Sequence, residues 1–251
     1  MIDIHSHILP GVDDGPEDLE SALALARAAV ADGTDIMVAT PHVLNGLDIN
    51  RNMQLLADYN RFKRKLNKEV PGLKLILGSE IYFRPKLADL SFLEVATVGG
   101  AEKYMLVEFP LNDIPRGYDR ELRNLVNSGI TPIIAHPERN ALIMRKPAMI
   151  GQLIDIGALI QLNTGSLTGS FGRQTRMLAQ NLLKRGWVHV IASDAHSANH
   201  RGPGLVSAVY AAEEVVGAVN ARRLVQDNPE MIVEGVPWPK KESLMFSFGG
   251  V

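Results

Sequence analysis

Short apolar runs, rich in valine, isoleucine and leucine, recur along the whole chain and alternate with longer stretches of mixed polarity. Runs of this kind, bounded by glycine, proline, asparagine or aspartate, are typical of β-strands. The pattern predicts seven strands, at residues 1–5, 36–40, 73–77, 104–109, 131–135, 158–162 and 188–192.

Between most of these runs, apolar residues return every three or four positions, which is the spacing of an amphipathic helix. In the first such stretch Leu19, Leu23 and Ala26 share one face. We expect Pro16 in the first turn of that helix and Gly33 at its end. The spacing predicts helices at 16–32, around 55–66, and at 118–127, 147–156, 174–185 and 205–216.

Seven strands that alternate with helices predict a parallel sheet covered on both faces, and therefore an α/β fold. An open doubly wound sheet and a closed barrel produce the same alternation, so this pattern leaves both open. No internal repeat, low-complexity tract or linker divides the chain, and we expect one domain.

The composition argues against several classes of protein. Of the 251 residues, 46% are hydrophobic, and the net charge is -2 at pH 7. That balance provides no basic surface for nucleic acid, and no apolar run reaches the ~18 residues of a transmembrane helix. The first residues lack the features of a signal peptide. We therefore expect a cytoplasmic enzyme with no nucleic-acid partner and no membrane insertion.

Ionisable residues that suit metal coordination accompany nearly every predicted strand. Six of the seven predicted strands contain a histidine or a carboxylate near their end or are followed closely by one, and five of the seven histidines lie at these positions. The carboxyl ends of parallel strands meet at one end of the sheet, where α/β barrels build their active sites. The candidate metal ligands are His5, His7, Asp14, His42, Glu80, Glu108, His136, Asp194 and His196.

Several of these residues have a simpler interpretation when taken alone. His42 and His136 stand next to prolines and would suit turns. Glu80 would suit a solvated loop, and Glu108, inside an apolar strand, would suit an ion pair with an arginine. The joint pattern favours a metal site over these separate interpretations.

Asp13, His189 and His200 are three further residues of the types that bind metals. Asp13 and Asp14 are equivalent on chemistry alone, so the choice between them stays open at this point. His189 lies within a strand, away from the ligand end, and we expect it to be packed. His200 lies in the loop SANHRGPG, and we expect it to be exposed to solvent.

The candidate ligands combine imidazole and carboxylate and contain no sulfur, because the chain has no cysteine. That mixture favours Mn, Fe or Zn in a hydrolytic site and disfavours a structural zinc. Nine ligands are too many for one ion, but with bridging carboxylates they suit two or three ions. Such ions lower the pKa of a water molecule and supply hydroxide as a nucleophile.

Two arginines point to a phosphorylated substrate. Arg139 follows His136 in HPER, and Arg201 lies beyond His196. Guanidinium groups bind phosphate oxygens and stabilise charge on a transferring phosphoryl group. Surface ion pairing is their simpler role, but a metal cluster with two nearby cations favours a phosphoester.

Six segments resemble, in order, motifs of the bacterial PHP-domain protein-tyrosine phosphatases: MIDIHSHILPGVDDGP, ATPH, GSEIY, VEF, IIAHPER and VIASDAHS. These are manganese-dependent enzymes associated with capsular and exopolysaccharide synthesis. The resemblance covers nearly the whole chain, and only the tail after about Pro237 is uninformative. It implies a distorted (β/α)7 TIM-like barrel of the PHP fold, with residues 1–251 as a single PHP phosphatase domain.

The resemblance also divides the candidate ligands among three ions and selects Asp14 over Asp13. It implies one ion held by His5, His7, Glu80 and Asp194, a second held by Glu80, Glu108 and His136, and a third held by Asp14, His42 and His196. Arg139 and Arg201 would bind the phosphate. Asp194 would be an acid able to protonate the leaving group.

The implied activity is that of a metal-dependent protein-tyrosine phosphatase, a phosphoric monoester hydrolase with two or three Mn²⁺ ions, for which Fe or Zn are alternatives. The expected partner is a phosphotyrosine protein, in particular a bacterial tyrosine autokinase that controls capsule or exopolysaccharide synthesis. One alternative is a small-molecule phosphomonoesterase such as histidinol-phosphate phosphatase. A second alternative is a non-catalytic, metal-dependent module that binds the kinase.

Overall fold

The apolar runs form parallel strands at all seven predicted positions in the computed structural model, which describes residues 1–239. Each strand pairs in parallel with its neighbours. The strands are β1 (Ile2–Ser6), β2 (Ile36–Ala39), β3 (His42–Val43), β4 (Lys74–Leu77), β5 (Glu80–Tyr82), β6 (Tyr104–Glu108), β7 (Thr131–Ile134), β8 (Leu159–Asn163) and β9 (Val190–Ala192).

Two of the seven strand positions are interrupted. Thr40 and Pro41 separate β2 from β3, and Gly78 and Ser79 separate β4 from β5. Pro41 has no N–H to donate, so the ladder is broken there. The interruptions divide the sheet into one part with the order β1-β2-β4 and another with the order β3-β5-β6-β7-β8-β9.

The two ends of this sheet meet between β1 and the chain that follows β9. The backbone N–H of His7 donates to the carbonyl oxygen of Ala195 at 2.8 Å, and that of Asp194 donates to His5 at 2.9 Å. Ser6 and Ala195 form an isolated parallel bridge. The sheet therefore curls into a distorted barrel of seven strand positions, which confirms the predicted fold class.

The six predicted helices are confirmed, with changes at their ends. Asp18, rather than Pro16, defines the start of the first one, because its side chain accepts a hydrogen bond from the N–H of Ser21 at 2.8 Å. The spacing of apolar residues does not predict the short helices near the site or those toward the end of the described chain. The helices are α1 (Leu19–Ala31), α2 (Ile49–Glu69), α3 (Tyr118–Asn127), α4 (Ala141–Arg145), α5 (Met149–Ile156), α6 (Thr164–Thr168), α7 (Arg173–Lys184), α8 (Leu205–Val216), α9 (Ala218–Val225) and α10 (Asp227–Val233), with 3-10 turns at Leu87–Leu90, Glu94–Ala96, Val98–Gly100 and Pro137–Arg139.

Alternate strand residues fill two separate apolar clusters, as the period of two in a β-strand requires. The larger cluster joins the sheet to the helices. The smaller one lines the barrel and includes Val38, Leu106, Ile133, Leu159 and Val190, together with Ile232 of α10. The interior is thus apolar over much of its length, and polar residues are concentrated where the strands end.

The register of β1 is irregular next to the first histidine. The register of β1 against β2 shifts between Asp3 and Ser6. Bulges re-aim side chains and are common next to active sites. Ile4 packs in the inner apolar cluster together with Ile2, and its neighbour His5, within the irregular part of the strand, contacts polar residues at the strand ends.

Residues 240–251, and with them most of the uninformative tail, lie outside the described residues. A single domain over 1–251 therefore stays a prediction. None of the helices in the described part of the chain has both the length and the apolar character that a membrane span requires.

Candidate metal centre

Glu80, the first residue of β5, lies at the centre of the polar end of the barrel. Its side chain is fully buried, and its two oxygens face different histidines. Oε2 lies 3.3 Å from Nε2 of His5 and 3.3 Å from Nε2 of His7. Oε1 lies 2.9 Å from Nε2 of His136. A buried carboxylate is costly unless it is paired, so this position requires the imidazoles or a cation.

His5, His7 and Asp194 form a cage of four atoms with Oε2 of Glu80. The Nε2 atoms of the two histidines are 3.3 Å apart. Oδ1 of Asp194 is 3.6 Å from Nε2 of His5 and 3.4 Å from Nε2 of His7. A divalent cation with bonds of about 2.0–2.2 Å separates neighbouring ligand atoms by about 3.0–3.6 Å, from octahedral to tetrahedral geometry. The separations that involve the two histidines therefore fit one such ion, and the ligand atoms of His5, His7 and Glu80 all lie within 4.8 Å of one another.

His42 and Glu108 extend the cluster beyond Glu80. Nδ1 of His42 lies 3.0 Å from Oε2 of Glu80 and 3.8 Å from Oε2 of Glu108. Oε1 of Glu108 lies 3.8 Å from Nε2 of His136. The predicted second ligand group is thus close together, and Glu80 stands between it and the cage, as a bridging carboxylate would.

Asp14, His42 and His196 come together at the open side of the cluster. Oδ1 of Asp14 lies 3.2 Å from Nε2 of His196 and 3.5 Å from Nε2 of His42. These three residues and His7 offer ligand atoms that all lie within 4.8 Å of one another. The side chain of Asp14 is 58% exposed, so this group lies nearer to solvent than the buried cage.

Unsatisfied polar atoms support a cation in this cluster. Among the described residues, Oε2 of Glu80, Nδ1 of His42 and Nε2 of His196 are buried without a hydrogen bond. Buried polar atoms are nearly always satisfied, and bound cations would satisfy all three. Imidazole nitrogen and carboxylate oxygen are suitable ligands for Mn, Fe or Zn. The nine residues therefore fit a metal cluster, although the role of each as a ligand stays a prediction.

Asp13 and Asp14 are adjacent but face different partners. Oδ2 of Asp13 accepts hydrogen bonds from Nδ1 of His7 at 2.8 Å and from the backbone N–H of His42 at 3.0 Å. Oδ1 accepts the N–H of Gly15 at 3.1 Å. A carboxylate on the far nitrogen of a ligating histidine fixes its ring orientation and tautomer. Asp13 is thus suited to orient His7, whereas Asp14 faces the ring nitrogens of the third group.

Two of the predicted ligands have an unusual backbone. The φ angles of His136 and Asp194 are 31° and 54°, in the region that non-glycine residues seldom adopt. Such positions cost about 1–3 kcal/mol and concentrate at functional sites. The conformation turns both side chains at the strand ends toward the cluster.

Arg139 and Arg201 both pair with Asp194. Nη1 of Arg139 and Nη2 of Arg201 donate to Oδ2 of Asp194 at 2.9 and 2.8 Å. The guanidinium group of Arg139 lies 4.4 Å from the centre of the Phe171 ring, a cation–π contact. The two predicted phosphate-binding residues therefore lie beside the cage, with their charges on its solvent side.

The ionisation of the cluster reflects its mixed charges. Burial disfavours charge on His7, but hydrogen bonds, first of all with Asp13, raise its pKa well above the ordinary value. Burial alone would raise the pKa of Asp194, but the charge of His5 and the hydrogen bond with His7 lower it well below the ordinary value. Asp194 is therefore an anion, which favours its role as a ligand over a role as a proton donor.

The remaining histidines lie outside the cluster, as expected. Nδ1 of His189 accepts the backbone N–H of Ile160 at 3.0 Å, and burial lowers the pKa of His189 to about 4. Its ring also meets that of Trp238 edge-on. His200 is exposed in its loop.

Sequence reasoning missed two buried amides of β8, Gln161 and Asn163. Oε1 of Gln161 lies 3.1 Å from Nδ1 of His5, and Nδ2 of Asn163 donates to Oδ2 of Asp194 at 2.6 Å. The available signal was their spacing: two amides at alternate positions of an apolar strand share one face.

The sequence of this chain is similar to a known protein family and to known tyrosine-protein phosphatases. Residues 1–234 match the family model described as capsular polysaccharide synthesis, CpsB/CapC. The chain is 33% identical over 255 residues to the tyrosine-protein phosphatase YwqE of Bacillus subtilis, covering 99% of this chain and 100% of that protein. It is 31% identical over 239 residues to the tyrosine-protein phosphatase CpsB of Streptococcus pneumoniae, covering 93% of this chain and 98% of that protein.

Solved structures agree with the fold. A chain from the crystal structures of YwqE and CpsB, described as unique metal-dependent tyrosine phosphatases, matches with a TM-score of 0.86 at 33% identity, over 96% of this chain and 100% of that one. A histidinol phosphate phosphatase from Lactococcus lactis matches with a TM-score of 0.53 at 13% identity, over 88% of this chain and 94% of that one. At 13% identity, that second likeness shows the fold alone.

Proposed function

Because this chain belongs to the CpsB/CapC family of capsular polysaccharide synthesis proteins, we propose that it is a metal-dependent protein-tyrosine phosphatase. The observation that carries the proposal is the buried cage around Oε2 of Glu80, in which Nε2 of His5 and Nε2 of His7 lie 3.3–3.6 Å from each other and from the oxygens of Glu80 and Asp194. A cluster this dense in imidazole and carboxylate is costly to bury without cations, and phosphoester hydrolysis is a reaction such cations promote.

Two or three Mn²⁺ ions are the proposed cofactors. They would be held by three groups: His5, His7, Glu80 and Asp194; Glu80, Glu108 and His136; and Asp14, His42 and His196. When bound, such ions lower the pKa of water and neutralise phosphate charge. Glu80 belongs to two groups, so its buried carboxylate would hold neighbouring ions at a fixed separation.

Arg139 and Arg201 would bind and orient the substrate phosphate. Each donates one N–H to Asp194, which leaves other guanidinium N–H groups for an anion. Nε of Arg201 is buried and has no hydrogen-bond partner among the described residues. A phosphate oxygen would supply that acceptor. The two fixed cations would then stabilise the negative charge that develops on the phosphoryl group.

A tyrosine phenolate can leave from a site that has no strong acid to protonate it. A tyrosine phenolate has a pKa of about 10, so it departs more easily than an alkoxide. Asp194, which sequence analysis suggested as the acid, is an anion with three donors on Oδ2. The absence of cysteine excludes a thiolate nucleophile. These features favour an aryl phosphate as the substrate.

The mouth of the site favours a polypeptide over a small molecule. A cavity of about 550 Å³ next to the cluster is lined by Asp14, His42, Leu44 and Arg51. The side chain of Leu44, which lines the cavity, is exposed, and so is that of Ile49 at the start of α2, between the lining residues Asp48 and Arg51. Exposed apolar side chains at a binding site are suited to contact a protein chain. We propose that the partner is a bacterial tyrosine autokinase that controls capsule or exopolysaccharide synthesis.

Phosphate release with Mn²⁺ from a phosphotyrosine peptide and from histidinol phosphate tests this proposal. We expect turnover of the peptide and little turnover of the smaller ester. His136→Ala and Asp194→Ala should abolish release, whereas His189→Asn, far from the cluster, should retain it. Preference for histidinol phosphate would favour the small-molecule phosphatase. Binding of Mn²⁺ without hydrolysis of either compound would favour the non-catalytic module.

A further inference from the structure

Gln161 and Asn163 connect two members of the cage through a continuous chain of hydrogen bonds. Both side chains are completely buried. Nδ1 of His5 lies 3.1 Å from Oε1 of Gln161, and Nε2 of Gln161 donates to Oδ1 of Asn163 at 2.8 Å. Nδ2 of Asn163 then donates to Oδ2 of Asp194 at 2.6 Å. The chain therefore starts at one cage residue and ends at another.

The direction of these hydrogen bonds is unambiguous. The backbone N–H of His136 donates to Oε1 of Gln161 at 3.2 Å, so that atom must be the carbonyl oxygen. Nδ1 of His5 must consequently carry a proton. At the other end, the carboxylate of Asp194 accepts only from a donor, so the amide nitrogen of Asn163 faces it. A flipped amide at either position would bring two acceptors or two donors together.

This direction determines what the cage residues present to a cation. Because the proton of a neutral His5 is on Nδ1, its Nε2 carries a lone pair, and Nε2 is the atom that faces His7 and Glu80. Because Oδ2 of Asp194 is occupied by donors, its Oδ1 is the atom that faces the same space. Metal binding requires both conditions.

We propose that Gln161 and Asn163 are positioning residues that fix the tautomer of His5 and the rotation of Asp194 for the cation of the cage. This inference rests on the proposed metal centre and extends it by two residues outside the predicted ligand set. Amides suit the task because they transmit a directed hydrogen bond without adding charge to a site that is already rich in carboxylates.

The hydrogen bond from Asn163 would also keep Asp194 in its orientation when phosphate binds. In the absence of phosphate, Arg139, Arg201 and Asn163 all donate to its Oδ2. A phosphate bound by the remaining N–H groups of the two arginines would change the environment of these two donors, but not that of the buried amide. Asn163 is thus the one of these three donors whose hydrogen bond to Asp194 would be independent of the substrate.

Calorimetric titration of the metal-free protein with Mn²⁺ tests the proposal without relying on turnover. Gln161→Met removes the acceptor and the donor at nearly unchanged volume, and we expect Mn²⁺ affinity at the cage to fall by about 10–100-fold. Asn52→Leu is the matched control. Its buried amide accepts the N–H of Val95 at 3.1 Å, away from the cluster, so this change should lower stability and leave Mn²⁺ affinity unchanged.

The tautomer of His5 provides a second measurement, by ¹⁵N NMR of its ring in metal-free protein at a pH where the imidazole is neutral. We expect the proton on Nδ1 in the wild type and in Gln161→Glu, which retains the acceptor, and a loss of that preference in Gln161→Met. If Gln161→Met fails to fold, Gln161→Glu and Asn163→Leu still report, because the first should preserve the tautomer and the second should weaken Mn²⁺ binding.

Wild-type Mn²⁺ affinity in Gln161→Met and Asn163→Leu, or a His5 tautomer with the proton on Nε2 in the wild type, would overturn the inference. Equal losses of Mn²⁺ affinity in Gln161→Met and Asn52→Leu would show a purely structural role and overturn it as well. Failure of the wild type to hydrolyse phosphotyrosine would refute the proposed activity and leave these binding results interpretable.

Discussion

The neighbours Asp13 and Asp14 permit a sharp test of the site, because the structure assigns them different tasks. Asp13 is buried and orients His7, whereas Asp14 is exposed and faces the ring nitrogens of His42 and His196. Substitution of each by asparagine keeps the shape of the side chain and removes its charge. The two changes should therefore differ in their effect on the stability of the metal-free protein, although both should affect metal binding.

The loss of stability expected for Asp13→Asn follows from the three hydrogen bonds that the Asp13 carboxylate accepts. Oδ2 accepts from His7 and from the N–H of His42, and Oδ1 accepts from the N–H of Gly15. Asparagine has one carbonyl oxygen, so its NH₂ group must face one of these donors. A buried donor left without an acceptor costs about 1–3 kcal/mol. Loss of the carboxylate that orients His7 should also weaken metal binding by about 10–100-fold.

Asp14→Asn should behave differently in the metal-free protein. Its side chain is 58% exposed, and exposed ion pairs contribute about 0–1 kcal/mol. We therefore expect its unfolding free energy to change by less than about 1 kcal/mol. With metal present, however, the third group loses a charged ligand, and we expect one equivalent of Mn²⁺ to be lost.

Urea unfolding of metal-free protein and calorimetric titration with Mn²⁺ measure the two quantities separately. The wild type and His200→Ala, an exposed residue outside the cluster, serve as controls. Equal destabilisation by Asp13→Asn and Asp14→Asn would refute the division of roles. Wild-type metal stoichiometry in Asp14→Asn would refute its assignment as a ligand.

Three further outcomes follow from the same structure. Treatment with EDTA should abolish phosphotyrosine hydrolysis and added Mn²⁺ should restore it, so activity that persists through chelation would contradict the metal requirement. In Gly15→Ala a Cβ would lie 2.0 Å from the carbonyl oxygen of His7, so the loop must move, and both melting temperature and metal affinity should fall. Gly72→Ala, whose Cβ would make an ordinary contact at 3.7 Å, should change neither, and identical behaviour of the two variants would contradict the clash. Because burial lowers the pKa of His189 from 6.5 to about 4, the unfolded chain takes up a proton that the folded one refuses, and stability should fall as pH drops through that interval. His189→Asn should remove up to about 3 kcal/mol of this fall in urea unfolding between pH 7 and 4, and an unchanged slope would argue against a neutral, buried His189.

The local pattern of apolar and polar residues was sufficient to predict the strands and most helices and to select the candidate ligands. An apolar run of β-branched residues has few alternatives to a buried strand, and the seven predicted runs all form one. The ends of parallel strands necessarily meet at one end of the sheet. Histidines and carboxylates that recur at those ends in the sequence therefore had to come together, however distant along the chain.

Helix starts were harder to place because they depend on side-chain hydrogen bonds. Pro16 suits a first helical turn by its φ angle, but Asp18 accepts the N–H of Ser21 and defines the start of α1 instead. Both residues are acceptable signals in the sequence, and only the hydrogen bond between Ser21 and Asp18 distinguishes them.

The chemical groups of the site can be read from the amino-acid sequence: imidazole and carboxylate at strand ends, two arginines and no thiol. The arrangement of these groups in space depends on the fold. His5 lies within a register shift of β1 and meets Glu80 across the curled sheet, and the inward face of β8 brings Gln161 against His5. These relations depend on strand register and barrel closure, which join residues far apart in the chain and leave no local pattern to read.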